Sequence, residues 1–234
     1  MGTVDCKSCI NIHCFIHKNL SPEWIKSYVK FQISFKQGQH IIVEGSPVLG
    51  IYFIQSGKVK VFFTGINGKH QIVRFANDGH ILGHRGFGND IYPISAVAME
   101  DSTICFIDNE TLNEMFLSNP KFTFDMMMFY SRELRKMENR MKNIAQMNVR
   151  EKVADTLLLL IENFGINADN EIDVLFNRED IANTAGTNVE QVTRQLSDFT
   201  SEGLIIKQGK KIAIANLEGL KKIISQHNQH VITK

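Results

Sequence analysis

The 234-residue sequence holds one tryptophan, four prolines and four cysteines. It has no long apolar run. Stretches such as Leu157–Ile161 fall far short of the roughly 18 consecutive apolar residues a membrane-crossing helix needs, so no membrane partner is expected. The start, Met1-Gly2-Thr3-Val4-Asp5-Cys6, lacks a basic segment followed by an apolar one, so secretion is not expected and a reducing, cytoplasmic setting is. A disulfide scaffold is not expected there. Neither sign of charge dominates. The 26 Lys+Arg and 25 Asp+Glu leave a net of +1, which argues neither for nor against nucleic acid. No nucleophile–base pair, phosphate loop or paired carboxylates stand at telling spacing, so an enzyme is not expected. The eight histidines are scattered, and His80 and His84 read as core or surface residues rather than metal ligands.

Within an ordinary globular composition, 43% apolar and 22% charged, three of the cysteines crowd together. Cys6, Cys9 and Cys14 lie within nine residues, and Cys105 is far off. A metal, a redox role and plain buried thiols all remain open. After them, Ser21 as N-cap and Pro22 at the first helical position predict a short helix. From Phe31 to about Asp108, short β-like runs alternate with glycines. Examples are His40-Ile41-Ile42-Val43, Ile51-Tyr52-Phe53-Ile54, Val59-Lys60-Val61-Phe62-Phe63 and Thr103-Ile104-Cys105-Phe106-Ile107. Many short strands with turn signals imply an antiparallel roll or barrel, and Asn67-Gly68 predicts a two-residue hairpin turn.

From Asn119-Pro120 the periodicity becomes helical for more than 25 residues. Met127, Leu134 and Met141 stand seven apart, as do Tyr130, Met137 and Ile144, offset by three. That is an a/d seam. A helix this long after a complete β domain has little else in its chain to cover it, so a homodimer seam is expected.

From Val149 onward, helices and a hairpin around Gly209 are expected. The most specific stretch is Asp180-Ile181-Ala182-Asn183-Thr184-Ala185-Gly186-Thr187-Asn188-Val189-Glu190-Gln191-Val192-Thr193-Arg194-Gln195-Leu196. Asn177 caps its first helix with an acid at N3, and Asn188 caps the second. Ala182 allows close helix approach, and Gly186 allows the turn. Ile181, Ala185, Val192 and Leu196 can face one core, whereas Gln195 is polar where an aliphatic residue is common. This is the layout of a helix-turn-helix that reads the major groove. Glu190, Gln191, Thr193 and Arg194 point outward and suit base edges. The alternative is a plain surface ion pair between Glu190 and Arg194. A hairpin wing with Lys207, Lys210 and Lys211 follows. From Glu151 to the end, 9 Lys+Arg face 12 Asp+Glu, a net of −3. Phosphate contact must therefore come from a local patch and helix N-termini.

Taken together, the chain resembles the CRP/FNR superfamily of bacterial transcription regulators. The likeness rests on Gly38-Gln39-His40-Ile41-Ile42-Val43-Glu44-Gly45, Tyr52-Phe53-Ile54-Gln55-Ser56-Gly57-Lys58-Val59-Lys60-Val61 and Gly79-His80-Ile81-Leu82-Gly83, then the long helix and the helix-turn-helix in the family's order. The resemblance implies an α+β fold: a cyclic-nucleotide-binding-type β-roll (jelly roll) with a Cys-rich N-terminal segment over 1–118, a dimerisation helix over 119–148, and a winged helix-turn-helix over 149–234. It implies a homodimer on a palindromic double-stranded DNA operator, working with RNA polymerase. Cyclic-nucleotide receptors of the family carry a glutamate and an Arg-Ser pair in the stretch that here reads Gly83 to Ala96. No glutamate is present and Ile94 precedes Ser95, so cyclic AMP is not expected, and Arg85 reads as a surface arginine. The fumarate and nitrate reduction branch looks closer. Its members hold a [4Fe–4S] cluster, which would fall on Cys6, Cys9, Cys14 and Cys105 and serve redox sensing. Glu190-x-x-Thr193-Arg194 resembles that branch's Glu-x-x-Ser-Arg. The spacing from Cys9 to Cys14 is one residue shorter than in that branch. Zinc on Cys6, Cys9, Cys14 and His13 or His17 stays open, as do inert thiols. So does a regulator without metal, either constitutive or answering a small ligand in the roll.

Overall fold

The computed structural model describes residues 2–4, 6, 9, 11–20, 23, 25, 30–209 and 211–227. The cap expected at Ser21 and Pro22 lies outside the described residues, as does Lys210. The chain forms two compact units, Met1–Thr64 with Arg74–Arg135 and Gly65–Val73 with Lys136–Lys234.

The fold is α+β, and the β-roll is built from alternating sequences. Its strands are β1 (Gly2–Val4), β2 (Lys30–Phe35), β3 (His40–Ile42), β4 (Gly50–Ser56), β5 (Val59–Thr64), β6 (His70–Ala76), β7 (Ile81–Leu82), β8 (Ser95–Ala98) and β9 (Ser102–Asp108). They form a five-stranded sheet in the order β1-β2-β9-β4-β7 and a four-stranded sheet in the order β3-β8-β5-β6. In the antiparallel pair β4–β9, Ile51 lies opposite Ile107 and Phe53 opposite Cys105. Side chains alternate with period two, so these four share one face, and all are buried. Tyr52 and Phe106 face the other way, with ring centroids 4.9 Å apart.

Three helices join that buried face. They are α1 (Phe15–Asn19), α2 (Asn109–Ser118) and α3 (Pro120–Gln146). Asp108 caps α2 by accepting from the Thr111 amide at 2.8 Å. Asn119 Oδ1 accepts from the Phe122 amide at 2.9 Å, and Pro120 begins α3, where its missing N–H costs nothing. Ile16, Leu112, Met115, Phe122 and Met126 complete one cluster with Ile51, Phe53, Cys105 and Ile107. Burying each such side chain stabilises the fold by about 1.5–3 kcal/mol. Phe15 stands edge-on to Phe122 at 5.7 Å and to Phe129 at 5.9 Å, which ties α1 to α3.

The second unit holds α4 (Val149–Phe164), α5 (Arg178–Ala185), α6 (Val189–Ser201), the hairpin β10 (Ile205–Gln208) and β11 (Lys211–Ile214), and α7 (Leu217–Ile223). Asn148 with Glu151, and Asn177 with Asp180, form reciprocal capping boxes at the starts of α4 and α5. Val153, Leu157, Ile181, Val192, Phe199 and Leu220 are fully buried. Its segment Gly65–Val73 carries the β5–β6 turn, which differs from the two-residue turn expected at Asn67-Gly68. The Gly65 amide donates to Lys69 O at 2.7 Å, enclosing three residues, with Asn67 and Gly68 both at positive φ. The Lys69 amide also donates to Ile66 O, but at 3.5 Å, so the shorter Gly65–Lys69 bond closes the loop and takes Ile66 into it. The turn at Gly209 is as expected, with Gln208 opposite Lys211.

Candidate DNA interface and cysteine centre

The helix-turn-helix is assembled by local rules. Gly186 ends α5 in the left-handed region, φ 64° and ψ 44°, where a side chain would be strained. Asn188 then caps α6 by accepting from the Gln191 amide at 2.9 Å. Ile181, Ala185, Val192 and Leu196 are all buried, as their spacing predicts. Gln195 is buried too, and its Oε1 has no hydrogen-bond partner among the described residues.

The outward face carries the predicted residues. Asn188, Glu190 and Arg194 are exposed, and Gln191 and Thr193 are half-buried. Among the described residues Glu190 and Arg194 make no ion pair with each other. The Thr193 hydroxyl donates to Val189 O at 2.8 Å, which leaves its methyl and its lone pairs for any further partner. Gln191 Oε1 accepts from the Thr187 hydroxyl at 3.2 Å. On the wing, Lys207 Nζ donates to Ser197 Oγ of α6 at 3.2 Å. Lys211 behaves otherwise than expected. Its Nζ donates to Glu171 Oε2 at 2.6 Å, and that ammonium and the Asn167 amide hold the Glu171 carboxyl below the usual range. Lys211 therefore serves the wing's own fold.

Two side chains outside the motif grip its turn. The last carbonyls of a helix have no partner inside it. Asn183 O accepts from Gln71 Nε2 at 2.7 Å, and Thr184 O accepts from Arg140 Nη2 at 2.7 Å. Both donors belong to the same unit as the helix-turn-helix.

The cysteines sit in the first unit, and none of them is in a disulfide. Cys6, Cys14 and Cys105 are buried in the shared apolar cluster, and Cys9 is half-buried. The Cys9 amide donates to Cys6 O at 3.2 Å. Asn11 pins this segment to β4: its Nδ2 donates to Ile54 O at 3.2 Å and Gln55 O at 2.8 Å, while its Oδ1 accepts from the His13 amide at 2.9 Å. Gly79 admits the segment, since a Cβ there would stand 2.6 Å from His13 O. Among the described residues no three His, Cys, Asp or Glu side chains converge on one metal ion. This applies alike to a zinc site, whose thiolates stand about 2.3 Å from the ion, and to a four-iron cluster, so it does not choose between them. The donor set itself, four thiols with three in one buried cluster, is the complement a four-iron cluster takes.

The stretch from Gly83 to Ser95 has no glutamate, and its one carboxylate, Asp90, is exposed. His84 stands buried in a 3-10 turn, and the Ser95 hydroxyl accepts from the Glu44 amide at 3.0 Å. Arg85, expected at the surface, is half-buried, and that burial lowers its guanidinium pKa while the Glu133 carboxylate opposes the shift. On α3, Met127, Leu134 and Met141 are 58%, 62% and 70% exposed, and Met137 is also exposed. Two seam residues turn inward instead. The Tyr130 hydroxyl donates to His84 O at 2.6 Å, and Ile144 lies 3.8 Å from where a Gly186 Cβ would be.

Two domain families match the chain in succession, the cyclic nucleotide-binding domain over residues 32–119 and the Crp-like helix-turn-helix domain over residues 151–223. The chain belongs to the CRP/FNR family. This CRP/FNR protein is 29% identical over 215 residues to the transcriptional activator protein anr of Pseudomonas aeruginosa, covering 89% of this chain and 88% of that one. To the fumarate and nitrate reduction regulatory protein of Escherichia coli K12 it is 28% identical over 198 residues, covering 84% and 79%. FixK2 from Bradyrhizobium japonicum has the same fold, with a TM-score of 0.73 at 20% identity over 84% of this chain and 98% of that one. The CRP/FNR protein is thus a transcription regulator of that type and not an enzyme. No helix among its described residues is long and apolar enough to cross a membrane. The grip of Gln71 and Arg140, the pin at Asn11 and the buried His84 have no signature in the sequence, because each depends on partners far along the chain.

Proposed function

We propose that this CRP/FNR protein is a homodimeric regulator that reads a palindromic DNA operator with α6 and recruits RNA polymerase, under control of the sensor region 1–118. The dimerisation helix is 119–148 and the DNA-binding domain 149–234. The observation that carries the reading is the outward face of α6, with Glu190 and Arg194 exposed and Gln191 and Thr193 half-buried, on a helix whose opposite face is locked in a core. An Arg at this place can grip guanine bidentately, and a Glu can accept from a cytosine amino group. Asn188 supports the helix start, and the wing adds Lys207 and Lys210. The exposed stripe Met127, Leu134, Met137 and Met141 supports pairing of two α3 helices. The relatives named as transcriptional activators support the role of RNA polymerase.

Cys6, Cys9, Cys14 and Cys105 would hold a [4Fe–4S] cluster. Bound there, such a cluster supplies an oxygen-labile redox centre. The thiols contribute a donor set already anchored, by Asn11 on one side and by β9 on the other. Cyclic AMP is not the signal in this reading, because the Gly83–Ser95 stretch has neither the glutamate nor the Arg-Ser pair.

Selection of binding sequences from a randomised duplex library tests the DNA reading. Two-fold symmetric sites are expected, and Arg194→Ala should cost about 1–3 kcal/mol of specific binding while leaving the oligomeric state intact. Recovery of no symmetric sequence would overturn it. Iron and sulfide analysis of anaerobically purified protein tests the cluster separately: a colourless, iron-free protein refutes the cluster and leaves the DNA reading standing.

A further inference from the structure

A cleft of about 360 Å³ opens in the first unit between α1, the turn joining β6 to β7, and the middle of α3. Its volume falls within the range of small-molecule sites, about 300–1,000 Å³. The floor is apolar, formed by Phe15, Met128 and Phe129. The rim is cationic. Lys18, in the last turn of α1, and Arg132, on α3, both line it and are both exposed. Among the described residues neither side chain has an ion-pair or hydrogen-bond partner. The acid in the lining, Asp125, is already matched by Lys121 at 2.6 Å.

Two like charges from different elements thus face one cleft whose lining carboxylate, Asp125, is already engaged by Lys121. A bare inorganic anion would satisfy the cations and leave the floor wet. A neutral apolar molecule would cover the floor and leave the cations as they are. Only a molecule with both parts answers both. We propose that the cleft binds an organic carboxylate with a short apolar body, its headgroup between Lys18 and Arg132 and its body over Phe129 and Met128. The occupant touches α1, whose N-cap is Cys14, and α3 at once. It therefore reports on the segment that carries the cysteines. The site is separate from the Gly83–Ser95 stretch and does not rest on the DNA reading.

Calorimetric titration of the full chain with hexanoate, against its neutral isostere hexanamide, tests this. Saturable binding of one hexanoate per chain is expected, with hexanamide clearly weaker. Lys18→Gln and Arg132→Gln should each weaken hexanoate about threefold to fivefold, and together about tenfold or more. Both positions are exposed, so thermal melts should match the parent. Met128→Trp fills the floor while keeping the cations, and should abolish binding. Equal binding of hexanoate and hexanamide, an unaltered affinity in the double variant, inorganic phosphate competing as well as hexanoate, or no saturable binding below about 10 mM would each overturn the proposal.

Discussion

His84 is 3% exposed, and neither ring nitrogen has a hydrogen-bond partner among the described residues. Its ring stands edge-on to Phe129 at 5.0 Å and Tyr130 at 5.7 Å. The Ile81 backbone favours a proton on the ring but is the smallest influence on it, and its carbonyl also accepts from Arg74 Nη1 at 2.7 Å. Burial pushes the imidazole well below its ordinary 6.5, and the nearby Arg74 and Arg85 guanidiniums push the same way. The folded state therefore keeps His84 neutral where the unfolded chain takes up a proton. Its contribution is fully present above pH 6.5 and is lost as pH falls below that value, at up to about 1.4 kcal/mol per pH unit. His84→Phe should remove that slope and leave stability at pH 7.5 equal or higher, since two orphan nitrogens become carbon. Denaturant melts at pH 7.5 and 5.5 decide it, and the idea fails if both proteins lose the same stability. A neighbouring pair is better matched: Arg74 and Glu133 meet at 3.2 Å with both side chains largely buried.

At the scale of elements, the helix-turn-helix was legible because its causes are local. A cap, a positive-φ glycine and an apolar repeat all act within about four residues, and Asn177, Asn188 and Gly186 occupy the places their chemistry requires. Gln195, a polar residue where the motif commonly has an aliphatic one, is buried. What holds the C-terminal end of α5 was not legible. Arg140 reaches Thr184 O across 44 positions of chain, and Gln71 reaches Asn183 O across 112. Burial lowers the Arg140 guanidinium pKa, with the Asp155 carboxylate opposing, so the hydrogen bond it donates is a desolvated, charge-assisted one. Arg140→Ala should cost the second unit about 1–3 kcal/mol and weaken operator binding further by loosening the turn before α6. Urea denaturation followed through the second unit's helices measures the first part. Unchanged stability would show that water replaces the guanidinium without loss.

For the whole molecule, the question is what covers α3. Its exposed methionines and Leu134 form a stripe that one copy of the chain leaves in water. Leu134→Glu with Met141→Glu should convert a dimer into a monomer without lowering helix content, because both side chains are outside either unit's core. Sedimentation velocity and circular dichroism read the two quantities. A double variant that still sediments as the parent does would place the interface elsewhere. Monomerisation should also weaken operator binding steeply, since each protomer then brings a single acidic DNA-binding segment, net −3 from Glu151 onward.

By itself the sequence determined the order of elements, the family, which face of α6 is buried and which points outward, and the four thiols available as donors. Each of these rests on short-range periodicity or on residue chemistry, which the chain carries wherever it goes. The tertiary structure decided which seam residues remain outside. Tyr130 and Ile144 share the heptad of Leu134 yet turn to neighbours in their own units. It also decided that Lys211 answers Glu171 and that Cys105 faces the same cluster as Cys6 and Cys14. These outcomes depend on strand register and on contacts between distant segments. A heptad marks which residues could pair, but only the folded neighbours settle which of them already have.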